Sequence, residues 1–236
     1  MHLAILMTNT DESAFAQAHP KDGEKFTDLV RLVRPDWTTK VFPVKDGIFP
    51  DDLARFDGVI ITGSPASVNS GAEWTERLFA LIRDMVQSGV PIFGACFGHQ
   101  ALAMALGGTV GANPGGLVHG LTRNEMLVRP AWAQDLPDVV RLYGSHGEQV
   151  IALPEGAKVL SRSEGCPVSG FAIGEKVYTT QHHPEMSADF IAALTEEMAG
   201  QMGPERLAKA RISLKEPSDM TVFAESIARF FEMATA

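Results

Sequence analysis

The run Pro91-Ile92-Phe93-Gly94-Ala95-Cys96-Phe97-Gly98-His99-Gln100 has the residue types and spacing that point most directly to chemistry. An apolar strand enters a Gly-x-Cys-x-Gly turn and continues straight into a helix, the arrangement of a nucleophile elbow with sulfur in place of a hydroxyl. Such a turn brings backbone segments too close for a Cβ atom, so glycine stands two residues before and two after. The central side chain is pushed out at the carboxyl end of the sheet. There the partial positive charge of the helix N-terminus favours a thiolate at Cys96, and the N–H of Phe97 faces any oxyanion formed beside the sulfur. A lone cysteine is more often a small core residue. The flanking glycines and the strand-turn-helix setting favour a nucleophile.

A thiolate attacking an acyl carbon needs a partner to protonate what leaves, and Thr179-Thr180-Gln181-His182-His183-Pro184-Glu185 offers one just past a strand. His183 is restrained by Pro184, while Glu185 can hold one ring nitrogen and leave the other for the sulfur. His182 fits the same spacing, so spacing leaves the two histidines open. A solvated turn is the plain alternative. A metal cluster drawn from His99, His146, His182, His183 and Glu185 is the rival functional one, but neither an HxxxH nor an HxH spacing occurs, and no metal is expected. Upstream, Ile60-Ile61-Thr62-Gly63-Ser64-Pro65 is a buried strand ending in a tight turn. In a parallel sheet this turn lies at the same edge as the elbow, where its N–H groups can supply a second oxyanion donor. Taken alone, an ordinary connecting loop explains it as well.

These residues need elements to position them, and the first half of the chain alternates strand and helix. Strands are expected at His2 to Thr8, Thr39 to Val44, Gly58 to Thr62 and Val90 to Ala95, and helices at Phe26 to Val33, Glu73 to Gln87 and Phe97 to Leu106. Fully apolar strands alternating with amphipathic helices predict a doubly wound, mostly parallel α/β sheet covered on both faces. From Gly108 to Tyr178 the pattern changes to short segments (Met126 to Val128, Val139 to Tyr143, Lys158 to Ser161, Gly170 to Ile173, then Lys176 to Thr180), read as a small antiparallel addition and the last core strands. Helices follow at Ser187 to Ala199 and Ser218 to Ala234, the latter with Val222, Phe223, Ile227, Phe230 and Phe231 on one face, after a partly helical polar connection. Residues 1–199 are expected to form one domain, with 200–236 a helical extension packed on it. The polar segment Asp11 to Lys25 is long for a strand-helix connection and is placed to shape substrate access.

Composition narrows the function classes. With 45% hydrophobic residues the chain can bury a full core, and no apolar run approaches the roughly 20 residues that span a bilayer. The start, Met1 to Met7, has no basic segment before its short apolar run and reads as a strand, so a cytoplasmic protein is expected. A net charge of −9, from 29 acidic against 20 basic residues, argues against nucleic acid as a partner. Two cysteines, Cys96 and Cys166, make neither a disulfide scaffold nor a CxxC pair.

Gly94-Ala-Cys96-Phe-Gly98-His-Gln100, Gln181-His-His183-Pro-Glu185, Gly63-Ser-Pro65 and Tyr143-Gly-Ser145-His146-Gly147-Glu148 together resemble the class I (triad) glutamine amidotransferases. The likeness is nearest to the glutaminase domain of GMP synthase and to stand-alone relatives, and it spans about Leu3 to Leu194. It implies a flavodoxin-like fold and hydrolysis of the glutamine side-chain amide through a γ-glutamyl thioester, without a cofactor. Residue by residue, it assigns Cys96 as nucleophile, His183 rather than His182 as base and acid, and Glu185 as the carboxylate that orients it. Ser64 and Phe97 would supply the oxyanion N–H groups, and Gly63, Gln100, Ser145, His146, Gly147 and Glu148 would line the substrate. Two positions depart from the family pattern: Ser64 stands where glycine is usual, which a backbone donor tolerates, and Glu148 where aspartate is common. His119-Gly120 falls where related domains often carry Tyr-Gly. No synthetase domain is expected in this chain, so ammonia is expected to pass to a separate synthetase chain. A γ-glutamyl peptide or amine hydrolase with the same triad is the alternative. A non-catalytic descendant would be expected to have lost one of the three triad residues, and all are present.

Overall fold

The chain opens with a strand that shows why the first half reads so clearly. In β1 (His2–Met7), Leu3 and Ile5 point to one face of the sheet and Ala4 and Leu6 to the other, and all four are fully buried. A strand buried on both faces must be apolar at every position, not every second one. The same holds for β3 (Gly58–Ile61) and β4 (Ile92–Ala95); β11 (Val177–Thr180) is also buried throughout, its Thr179 and Thr180 hydroxyls donating to the Phe171 and Ser169 carbonyls. With β2 (Thr38–Pro43) at the edge, these strands run parallel in the order β2-β1-β3-β4-β11. This computed structural model describes residues 1–235.

Helices cover both faces. On one side α2 (Asp22–Val33) and α8 (Met220–Thr235) pack on Leu3, Ile5, Ile60, Phe93 and Tyr178. On the other, α3 (Glu73–Gln87) and α4 (Phe97–Ala105) pack on Ala4, Leu6, Val59, Ile61 and Ile92. The apolar stripe read for the last helix is core: Phe223, Ile227, Phe230 and Phe231 are buried, and the Phe231 ring occupies the space a side chain at Gly58 would need. Arg34 at the end of α2 bonds both Glu225 (2.9 Å) and Glu232 (2.6 Å) of α8. These pairs are partly solvated, so the buried aromatics, at about 1.5–3 kcal/mol each, do most to hold α8 in place.

Beyond β11 the sheet turns antiparallel and continues through β10 (Cys166–Ile173), β9 (Ala157–Ser163), β6 (Val118–Met126) and β7 (Val139–His146), giving nine strands in all. β5 (Thr109–Ala112) and β8 (Glu148–Ala152) form a separate pair. Where a strand over Met126 to Val128 is expected, β6 ends at Met126, and Leu127 and Val128 are exposed. The preceding residues form this strand despite their polarity because Val118 to Glu125 pair residue for residue with β7. The polar connection after the fifth helix, α5 (Ala188–Glu197), holds two short helices, α6 (Ala199–Met202) and α7 (Pro204–Ser213). The long segment after β1 carries one turn of helix, α1 (Ala14–Gln17), and α2 begins at Asp22, earlier than its apolar stripe, where the Lys21 N–H donates to Glu24 Oε2 at 2.8 Å. No helix among the described residues is long and apolar enough to cross a membrane.

Candidate active site

Three chain segments meet at the carboxyl ends of β3, β4 and β11. Cys96 joins β4 to α4 at φ 51° and ψ −104°, the one non-glycine residue with positive φ among those described. Strain of this kind persists only where the surroundings enforce it. Here the Cys96 N–H donates to the Thr180 carbonyl (2.9 Å), the Gly98 N–H to the Thr62 carbonyl (3.1 Å), and the Gln100 N–H to the Cys96 carbonyl (3.0 Å). The glycines are steric necessities: a Cβ at Gly94 would sit 2.7 Å from the Gly98 carbonyl carbon, and one at Gly98 would collide with the Ile61 carbonyl. The elbow expected from the sequence therefore stands on both neighbouring strands.

His183 is the histidine that shares a cavity with Cys96; His182 does not line it. Its backbone N–H donates to the Tyr143 carbonyl at 2.8 Å, and its Nδ1–H donates to Glu185 Oε1 at 2.7 Å, leaving Nε2 for the sulfur. Burial disfavours the imidazolium, but the charges of Glu185 and Cys96 outweigh it and hold the His183 pKa well above the usual value. Gly63 borders the same ring, since a Cβ there would lie 2.8 Å from His183 Cε1. His182 points elsewhere. It is fully buried, its ring centroid 5.5 Å from that of His146, and burial together with the neighbouring histidines pushes its pKa well below the usual value.

Phe97 heads α4, where the first N–H groups have no intrahelical partner. Neither its amide nor that of Ser64 donates to a backbone carbonyl among the described residues. Both stay available to an oxyanion. Gly63, Ser64, Gln100, Ser145, His146, Gly147 and Glu148 line one cavity of about 620 Å³ together with Cys96 and His183. Within it, Gln100 Nε2 donates to the Glu148 carbonyl (2.9 Å) and to Gln181 Oε1 (3.1 Å), so only its carbonyl oxygen is left for a substrate. The Glu148 carboxylate accepts from Ser67 Oγ at 3.0 Å. His119 stands behind this wall, its ring nitrogens 3.1 Å from Ser145 Oγ and 2.9 Å from Thr195 Oγ1. Among the described residues no group of three or more His, Cys, Asp or Glu is placed to hold a metal ion.

Part of the cavity wall escapes sequence reasoning. Phe15 and His19 come from the polar segment, and Phe190 and Leu194 from α5. The rings of Phe15 and His19 lie 4.2 Å apart, Phe15 lies 5.8 Å from Phe190, and Lys25 Nζ sits 3.4 Å from the Phe190 ring centre. The aromatic residues inside the polar stretch Asp11 to Lys25 are the one available signal. Nothing local distinguishes α5 from a helix that merely covers the core.

Buried histidines set the acid limit of the fold. Burial pushes His99 down to about 3, with His146 adding to the effect, and pushes His146 down to about 4. Between about pH 6.5 and these values the unfolded chain binds more protons than the native one, so stability falls on acidification, each histidine contributing a slope approaching ~1.4 kcal/mol per pH unit. His183 acts oppositely: its contribution is complete below about pH 6.5 and is lost as pH rises through its raised native value. Urea midpoints should accordingly peak near neutrality and drop steadily toward about pH 4. A midpoint that stays flat on acidification would contradict this.

Comparison with known proteins yields a match to the family described as glutamine amidotransferase class-I over residues 29–190. Gamma-glutamyl peptidase 3 of Arabidopsis thaliana is 31% identical over 166 residues, covering 67% of each chain. A GMP synthase [glutamine-hydrolyzing] of Aeropyrum pernix is 37% identical over 135 residues, which is 57% of this chain but 25% of that one. The crystal structure of a glutamine amidotransferase from Thermotoga maritima superposes with a TM-score of 0.79 at 20% identity, covering 99% of this chain and 97% of its own, a likeness of fold.

Proposed function

Since the chain belongs to the class-I glutamine amidotransferase family, we propose that it hydrolyses the side-chain amide of L-glutamine through a γ-glutamyl thioester on Cys96. The observation that carries this reading is the strained Cys96 sharing one cavity with a His183 whose Nδ1 is held 2.7 Å from Glu185 Oε1. The Cys96 thiolate attacks the amide carbon, and the oxygen takes up negative charge between the Ser64 and Phe97 N–H groups, each such donor being worth about 3 kcal/mol. His183 Nε2 gives its proton to the amide nitrogen, the C–N bond breaks, and ammonia leaves. A water then loses a proton to His183 and attacks the thioester. The C–S bond breaks, glutamate leaves and the thiolate is restored.

A second reading, hydrolysis of γ-glutamyl peptides or amines by the same steps, is favoured by two observations. The cavity of about 620 Å³ continues past the polar residues to an apolar wall that can take a leaving group larger than ammonia. The chain also covers 67% of a relative named a γ-glutamyl peptidase, against 25% of a GMP synthase. The purified chain should release glutamate and ammonia from glutamine, read by coupled assay beside a γ-glutamyl dipeptide. A separate ammonia-accepting synthetase, added in trans, is expected to raise that turnover. Robust dipeptide cleavage with negligible glutamine turnover would replace the first reading by the second.

A further inference from the structure

Two buried hydroxyls next to the elbow have so far no assigned task. Thr8 and Thr62 lie just past the ends of β1 and β3, and both are fully buried. The Thr8 N–H donates to Thr62 Oγ1 (3.0 Å), and that hydroxyl donates to the Gly63 carbonyl (3.1 Å). Thr8 Oγ1 reaches the same Gly63 carbonyl at 3.0 Å, with the Thr62 carbonyl also at 3.0 Å. The Thr62 carbonyl already receives the Gly98 N–H from the elbow, so one hydroxyl would be enough to satisfy the strand end. Two converge on Gly63.

The Gly63 carbonyl and the Ser64 N–H belong to one planar trans peptide and point in opposite directions. Clamping the carbonyl therefore aims the amide. A peptide that follows glycine rotates at little steric cost, and the opposite rotation would put a carbonyl dipole where negative charge must develop. We propose that Thr8 and Thr62 are positioning residues: their hydroxyls lock the Gly63–Ser64 peptide so that the Ser64 N–H faces the reacting carbonyl oxygen. This rests on the acyl chemistry proposed above and is independent of which amine departs.

The test compares two reactions of the same sulfur. Hydrolysis of glutamine or of a γ-glutamyl dipeptide passes through an oxyanion, whereas alkylation of Cys96 by iodoacetamide displaces iodide at a saturated carbon and forms none. In Thr8→Val, kcat should fall by about 10- to 100-fold with KM little changed, because a donor misplaced by about an ångström loses its transition-state contact. The alkylation rate should stay within about twofold of wild type. Thr8→Ser keeps the hydroxyl and should restore most of the lost turnover. If Thr8→Val fails to fold, Thr8→Ala takes its place, and a serine variant as impaired as the alanine one would overturn the inference by showing that the methyl group and its packing were responsible. Undiminished kcat in a folded Thr8→Val protein, or hydrolysis and alkylation falling together, would overturn the inference while leaving the reaction standing. A wild-type protein that alkylates normally yet turns over neither substrate would remove the reaction, and with it the inference.

Discussion

Cys96→Ser is expected to abolish turnover, lowering kcat by about 10⁴-fold or more while the protein stays folded. The reason lies in proton affinity. A thiol gives up its proton far more readily than an alcohol, so a serine hydroxyl must be deprotonated during attack. Serine fits the space left by the sulfur and inherits the same tethered backbone, so the loss will be chemical. Mass spectrometry of wild-type protein quenched during turnover should show the mass of a γ-glutamyl adduct on the peptide bearing Cys96, and none on the variant. Residual activity within about a hundredfold of wild type would place the nucleophile elsewhere. Activity in the variant that a chelator removes would revive a metal-based reading.

Glu185→Gln carries the second largest effect, a fall in kcat of about 10²- to 10⁴-fold. Glu185 Oε1 accepts the Nδ1–H of His183 at 2.7 Å, and its charge helps hold the pKa of that ring up. A glutamine can instead donate to Nδ1 and leave the proton on Nε2, the tautomer that cannot serve as base for water. Removing the negative charge also lowers the His183 pKa, so the imidazolium needed to protonate the leaving nitrogen is lost at lower pH. The basic limb of the kcat/KM profile should move down accordingly. An unshifted limb would show that Glu185 does not set the charge on His183. The carboxylate is buried against the His183 ring, so removing its charge also costs the stability that the pair contributes below about pH 6.5. The thermal midpoint should fall, and most below about pH 6.5, where the contribution of the raised His183 pKa is complete.

The parallel half of the fold and the elbow were legible in the sequence because both are governed by local sterics and burial. A strand covered on two faces is apolar throughout, and a strand-to-helix turn around Cys96 excludes side chains at Gly94 and Gly98. The antiparallel region was harder to read. β6 has a polar composition, and what makes Val118–Met126 a strand is its pairing with β7, about 20 residues further along the chain.

Sequence by itself determined the chemical inventory: the thiol on its bend, two adjacent histidines, a carboxylate two positions on, and the family likeness that singled out His183. Tertiary structure decided which ring faces the sulfur, how a loop and a helix from distant parts of the chain enclose one cavity, and how two threonines come to grip a single carbonyl. Neighbouring residues on an extended segment point to opposite sides, and the side that meets Cys96 depends on β11 lying beside β4 with Thr180 opposite Ala95. That register is set by side chains packed across the whole sheet, a constraint that no short stretch of the chain contains.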